Sequence, residues 1–199
     1  MTILVQGGVV LWAIVGLSVL ALAIIIEKIW LLALYRTDNV FLKKIAQDLN
    51  PKDRIDWVKK WQGSKRLDHQ LAVIVLQHYG LPRNSIRDYL VIKLQDSANQ
   101  LTSKVGTLSI IITVAPMLGL LGTVLGLVDV FSVLSMDGGM DQAKLLSMGI
   151  SKALITTGGG LILAIPLILI QHLLERVINR RLDQWDTIPS DLTATLTNQ

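Results

Sequence analysis

The sequence predicts an all-α integral membrane protein with three transmembrane helices and long cytoplasmic helical extensions. Three observations predict it. Hydrophobic residues make up 51% of the chain and charged ones 17%, a balance tilted away from soluble domains. Three apolar runs, ending near residues 26, 134 and 170, each supply the ~20 residues a spanning helix needs. The charges fall in blocks between those runs, so the formal net charge of +4 reads as membrane orientation rather than nucleic-acid binding. The chain has no cysteine, which excludes disulfides, Cys zinc sites and thiol nucleophiles.

Residues 1–35 read as an outward N-terminus and a first transmembrane helix. No charged side chain occurs before Glu27, and the basic start and small-residue cleavage site of a removable signal are missing. The helix is expected to run through Glu27 and Lys28 to about Tyr35, with Trp30, Tyr35 and Arg36 as interfacial anchors.

Residues 36–104 are polar, carry both charge signs and form the cytoplasmic helical region. Asn50-Pro51, Gly63 and Gly80-Leu-Pro82 divide them, predicting short helices near 38–49, 52–62 and 67–79. His69 and His78 read as solvated or packed residues, since no carboxylate or cysteine cluster at ligand spacing accompanies them. No metal or cofactor site is expected.

From Ser85, the residues Ile86, Leu90, Leu94 and Leu101 recur at helical spacing and lead without a turn signal into the apolar run from Val105. A single helix is therefore expected from about Ser85 to Leu134, its residues 105–134 forming transmembrane helix 2. Residues 135–147, with Gly138-Gly139, read as a short polar loop, which the resemblance described below makes periplasmic. Transmembrane helix 3 occupies 148–171. The segment 172–199 continues as a C-terminal helix, with Leu174, Ile178, Leu182 and Trp185 on one face, then breaks at Ile188-Pro189 into a frayed tail. Fourteen Lys and Arg lie between Lys28 and Lys104 and three in the C-terminal segment, against only Lys144 in the 135–147 loop. Counting basic residues thus puts the N-terminus outside and the C-terminus in the cytoplasm.

The second and third apolar runs contain residues that lipid alone does not require. Gly122 and Gly126 form a small-xxx-small pair suited to close helix approach. Pro116 and Pro166 each remove a helix hydrogen bond and can kink their helices. Counted from the short loop, Thr123 and Thr157 lie at one depth, ~13 Å from the outer helix ends at ~1.5 Å per residue. Singly, a threonine bonds its own helix and costs little; two at matched depth equally suit a polar track facing a pore. Asp129 and Lys152 also share a level. Burying either charge alone costs ~3 kcal/mol, which favours an ion pair across the helix hairpin or exposure to water.

At these residues the chain resembles the MotA/TolQ/ExbB proton channel family, its ExbB/TolQ branch in particular. Ala115-Pro-Met-Leu-Gly-Leu-Leu-Gly-Thr-Val-Leu-Gly126 is similar to the family's APxLGLLGTVxG signature. Gly149-Ile-Ser-Lys-Ala-Leu-Ile-Thr-Thr157, with Gly160-Leu and Ala164-Ile-Pro166, is similar to GIAEALxATxxGLxxAIP. The resemblance implies a homo-oligomer, a pentamer, in the bacterial inner membrane, enclosing the single spans of an ExbD/TolR-like partner. It implies that proton flow past an Asp of that partner energises a TonB-like or TolA-like protein. Thr123 and Thr157 match the family's pore-facing threonines, while Gly119, Gly122, Gly126 and Gly160 read as helix-packing residues. The departure is Lys152, where the signature has Glu; an ammonium cannot accept a proton as a carboxylate does. No hydrolase, phosphate-loop or metalloenzyme motif appears, so no enzyme activity is expected. A TolQ-like subunit energising TolA and a non-conducting scaffold are the alternatives.

Overall fold

In the computed structural model, residues 8–47, 54–134 and 142–195 are described; they form eight helices and no strand. These are α1 (Gly8–Leu34), α2 (Asn39–Gln47), α3 (Arg54–Trp61), α4 (Leu67–Gln77), α5 (Arg83–Thr102), α6 (Val105–Leu134), α7 (Gln142–Asp186) and α8 (Ile188–Thr195). Three helical stretches are long and apolar enough to cross a membrane: Gly8–Leu34, Arg83–Ser132 and Leu146–Ala194. The chain divides into two compact units, one of the described residues up to Ile26 with Lys104–Leu174, the other of Glu27–Ser103 with the described residues from Glu175.

The first unit holds the apolar part of α1, all of α6 and most of α7. Its interior is thin, as expected of spans whose outer faces meet lipid: Ile14, Ala21, Leu108, Ile111, Ala115, Ala153 and Ala164 are buried, whereas Val9, Ile110, Leu120, Ile162 and Leu169 are exposed. Pro116 and Pro166 both lie inside their helices. In lipid, close packing replaces the hydrophobic drive between helices, and the contact between α6 and α7 is built for it. Small residues meet in antiparallel order along the seam: Ala115 with Gly160, Gly119 with Thr157, Gly122 with Thr156, and Gly126 with Ala153 and Gly149. A Cβ added to Gly160 would come within 2.5 Å of the Ala115 carbonyl oxygen, so glycine is required there by the approach of backbones.

The second unit is an ordinary amphipathic helical assembly. Ile86, Leu90, Leu94, Ser97 and Leu101 are the buried stripe of α5, and Leu67, Leu71, Val75 and Leu76 the buried residues of α4 that accompany them. Asp38 starts α2, its Oδ1 accepting from the amides of Val40 at 3.0 Å and Phe41 at 3.3 Å, a standard N-cap. Gly80, with φ of 94°, closes the turn after α4.

The structure departs from the sequence reading at three places. Helix covers nearly all of the stretch expected from Ser85 to Leu134, but it is interrupted at Ser103–Lys104, where Lys104 has φ of 62°. At this interruption Lys28 Nζ donates to the Gln100 carbonyl at 2.8 Å and to Ser103 Oγ at 3.2 Å. Lys28 is fully buried, and its ammonium lies where a helix C-terminus favours positive charge. Second, α7 begins at Gln142, within the segment read as loop. Third, residues from Ile188 form a helix instead of a frayed tail. Pro189 suits a first helical turn because its missing N–H is not needed there, and Ile188 and Leu192 are each 2% exposed. Asn50-Pro51, Gly138-Gly139 and residues 196–199 lie outside the described residues.

Candidate functional site: the small-residue hairpin of α6 and α7

Two signature-bearing helices create the candidate site. Along α7, Gly149, Ala153, Thr156, Gly160 and Ala164 recur every three or four residues and so occupy one face. On α6 the facing stripe is Ala115, Gly119, Gly122 and Gly126. The seam is narrow enough for side chains of one helix to reach the backbone of the other.

Thr157 does so: its hydroxyl donates to the Gly119 carbonyl at 3.0 Å. Thr156, which sequence reasoning did not single out, is 1% exposed and donates to Ala153 O at 2.7 Å. Its side chain fills the notch left by Gly122. The signal that would have found it is the spacing of the α7 stripe, in which it replaces the alanine of the family signature by a larger residue at a small-residue position. Thr123 lies off the seam, partly exposed, and its hydroxyl turns back to the Leu120 carbonyl at 2.6 Å. The two threonines at matched depth are therefore not joined by a hydrogen bond.

Asp129 and Lys152 are brought together. Lys152 Nζ donates to Asp129 Oδ2 at 2.9 Å, linking α6 to α7, with the side chains 39% and 60% exposed for Lys152 and Asp129 respectively. A Cβ on Gly8, at the start of α1, would lie 3.2 Å from Lys152 Cε, so the aliphatic stem of Lys152 packs against that turn. Deeper along the pair of helices, Gln171 Nε2 donates to Ser109 Oγ at 2.7 Å. Among the described residues the hairpin thus carries polar links at the Asp129–Lys152, Thr157–Gly119 and Gln171–Ser109 levels, the first of them charged.

Away from the hairpin, the two histidines of the polar region are in packing positions. His69 stacks on Trp61 with ring centroids 5.3 Å apart and shares a hydrogen bond with Ser64 Oγ at 2.9 Å. His78 stacks on Tyr89 at 4.1 Å, and its Nδ1 lies 2.9 Å from the Ile74 carbonyl. Among the described residues no three His, Asp or Glu side chains gather as metal ligands.

The biopolymer transport protein exbB1 of Vibrio cholerae is 27% identical over 165 residues, covering 81% of this chain and 72% of that protein. The biopolymer transport protein ExbB-like 3 of Synechocystis is 33% identical over 88% of this chain and 84% of its own length. The ExbB of Helicobacter pylori is 43% identical over a shorter stretch, 38% of this chain and 52% of its own. Residues 63–187, which include both helices of the hairpin, match the MotA/TolQ/ExbB family as a whole. The chain is a membrane protein and belongs to the MotA/TolQ/ExbB proton channel family.

Proposed function

We propose that this chain is the ExbB-like subunit of an inner-membrane motor driven by the proton-motive force, which energises TonB-dependent transport across the outer membrane. The observation that carries the reading is the α6–α7 hairpin: a small-residue seam with an Asp129–Lys152 pair at 2.9 Å and threonines at the seam and its edge. Its counterpart is an ExbD/TolR-like single-span protein held within a homo-pentamer, with the N-terminus periplasmic and the C-terminus cytoplasmic. In this scheme the carboxylate that carries the proton belongs to the partner span. The hairpin supplies the stator wall past which it moves.

Each hairpin residue has a distinct task in that scheme. The Thr157 hydroxyl spends its proton on Gly119 O, which leaves its oxygen lone pairs for a water or a protonated carboxyl. Thr123, partly exposed, offers a second oxygen on the adjoining face. Lys152 takes no proton from the path. It neutralises Asp129, so the wall keeps no net charge at that level and the partner carboxylate meets neither a trap nor a barrier.

A second reading is favoured by one observation: both threonine hydroxyls are already bonded to helix carbonyls, as they would be in a non-conducting scaffold. A TolQ-like subunit acting on TolA differs from the first reading only in its partners. The absence of cysteine allows a clean test. Thr123→Cys and Thr157→Cys, placed singly in the chain co-assembled with its partner, should react with a membrane-impermeant, water-borne thiol reagent. Cysteines unreactive at both positions would leave the scaffold.

A further inference from the structure

A cavity of about 400 Å³ opens at the C-terminal end of α1, lined by Trp30, Ala33, Leu34, Arg36, Asp38 and Arg66. Its lining divides by chemistry. Three apolar residues come from the last turns of a membrane span, and three charged ones from the segments just beyond. Trp30 lies four residues past Ile26, or ~6 Å along the helix, which is about the depth of one interfacial layer. It is 56% exposed, and Lys65 Nζ sits 5.5 Å from its ring centroid.

Two of the three charged lining residues are arginines, with Lys65 beside them. Arg66 is held as a fork by the buried Asp68, with Nε at 3.1 Å and Nη2 at 2.6 Å, which fixes the guanidinium and leaves Nη1 outside the fork. That hydrogen bond, and then the Asp68 charge, raise the Arg66 pKa further above its usual value. Arg36 makes no ion pair among the described residues. The single carboxylate of the lining, Asp38, accepts from the amides of Val40 and Phe41 through Oδ1, and its charge adds a smaller part to the rise of the Arg66 pKa. Guanidinium groups match phosphate geometry, and basic pockets beside membrane spans bind anionic headgroups.

We propose that this cavity seats the phosphodiester headgroup of an anionic phospholipid of the phosphatidylglycerol type, with the phosphate between Arg36 and Arg66 and the lipid's glycerol end against Trp30, Ala33 and Leu34. The site ties the end of α1 to the headgroup layer at a fixed depth.

Native mass spectrometry of the full chain, released from detergent after exposure to equal amounts of phosphatidylglycerol and phosphatidylethanolamine, tests the assignment. Phosphatidylglycerol should be retained preferentially, and Arg36→Gln should weaken its retention about fivefold. Lys59→Gln, on α3 and outside the cavity, should change nothing. Equal retention of the two lipids, or full retention by Arg36→Gln, overturns the proposal. So does displacement of the lipid by millimolar glycerol phosphate, which would mark a site for soluble anions. Should a variant misfold, photoactivatable phosphatidylglycerol on the unaltered chain decides: adducts on the 30–36 segment support the site, and adducts only elsewhere, as expected if a second copy of the chain covers it, refute it.

Discussion

Gly122→Ala measures the packing of the hairpin most sharply. A Cβ at position 122 would lie 2.2 Å from Thr156 Oγ1, 2.5 Å from its Cβ and 2.9 Å from its Cγ2. Thr156 cannot yield easily: a β-branched side chain in a helix has few rotamers, it is 1% exposed, and its hydroxyl is bonded to Ala153 O. The helices must therefore part, at a cost of ~2 kcal/mol by analogy with overpacked cores. For a chain of this length that is roughly a 4–8 °C fall in the unfolding midpoint. Thr156→Ala alone should cost ~1 kcal/mol through the lost methyl and hydroxyl contacts. Combined, the new methyl at 122 occupies the space vacated at 156, and the double variant should return to within ~1 kcal/mol of the parent, a coupling of ~2 kcal/mol. The assay is thermal unfolding in detergent followed by tryptophan fluorescence. Additive effects of the two substitutions would refute the notch-and-knob account of the seam.

Gly160→Ala should be worse and beyond rescue by any side-chain truncation, because the new methyl would meet the backbone of Ala115 and Gly119; we expect a loss of ~3 kcal/mol or more and splayed helices, read by the same unfolding assay. Lys152→Ala should destabilise the protein unless Asp129 is also neutralised, with a coupling of ~1 kcal/mol given the exposure of both groups; a cycle without coupling would count against the pair. Burial, and secondarily Asp96, raise the Tyr35 pKa above its usual 10.0. The folded chain therefore holds this proton when the unfolded chain releases it, so its contribution to stability is full below pH ~10 and falls as pH rises past the unfolded value. Tyr35→Phe, which also gives up the hydrogen bond to Gln100 Oε1, should flatten the alkaline limb of a stability–pH profile; an unchanged slope would exclude Tyr35 as its source.

Much of the fold is legible in the sequence because lipid imposes few solutions. Apolar length alone marks the three spans, and the periodicity of Ile86, Leu90, Leu94 and Leu101 gives the buried face of α5. The Gly122 and Gly126 pair marks the seam, since only small residues permit it. What escapes is what depends on a partner far along the chain. Glu27-Lys28 is visible as a charged step at the end of α1, yet nothing local says that Lys28 Nζ finds the Gln100 carbonyl, nor that the helix breaks at Ser103–Lys104 beside it. Thr156 escapes for a related reason: its significance lies in the volume missing at Gly122. The helix at Ile188–Thr195 was hidden by Pro189, whose helix-breaking and helix-starting roles look alike until the burial of Leu192 is known.

The central claim, that the hairpin forms the wall of an ion path, is tested most directly by proton flux into liposomes carrying the chain co-assembled with its single-span partner under an imposed membrane potential. Thr123→Val with Thr157→Val preserves side-chain volume and should leave the assembled complex intact by size-exclusion chromatography while abolishing flux. Undiminished flux through the intact double variant would contradict the account.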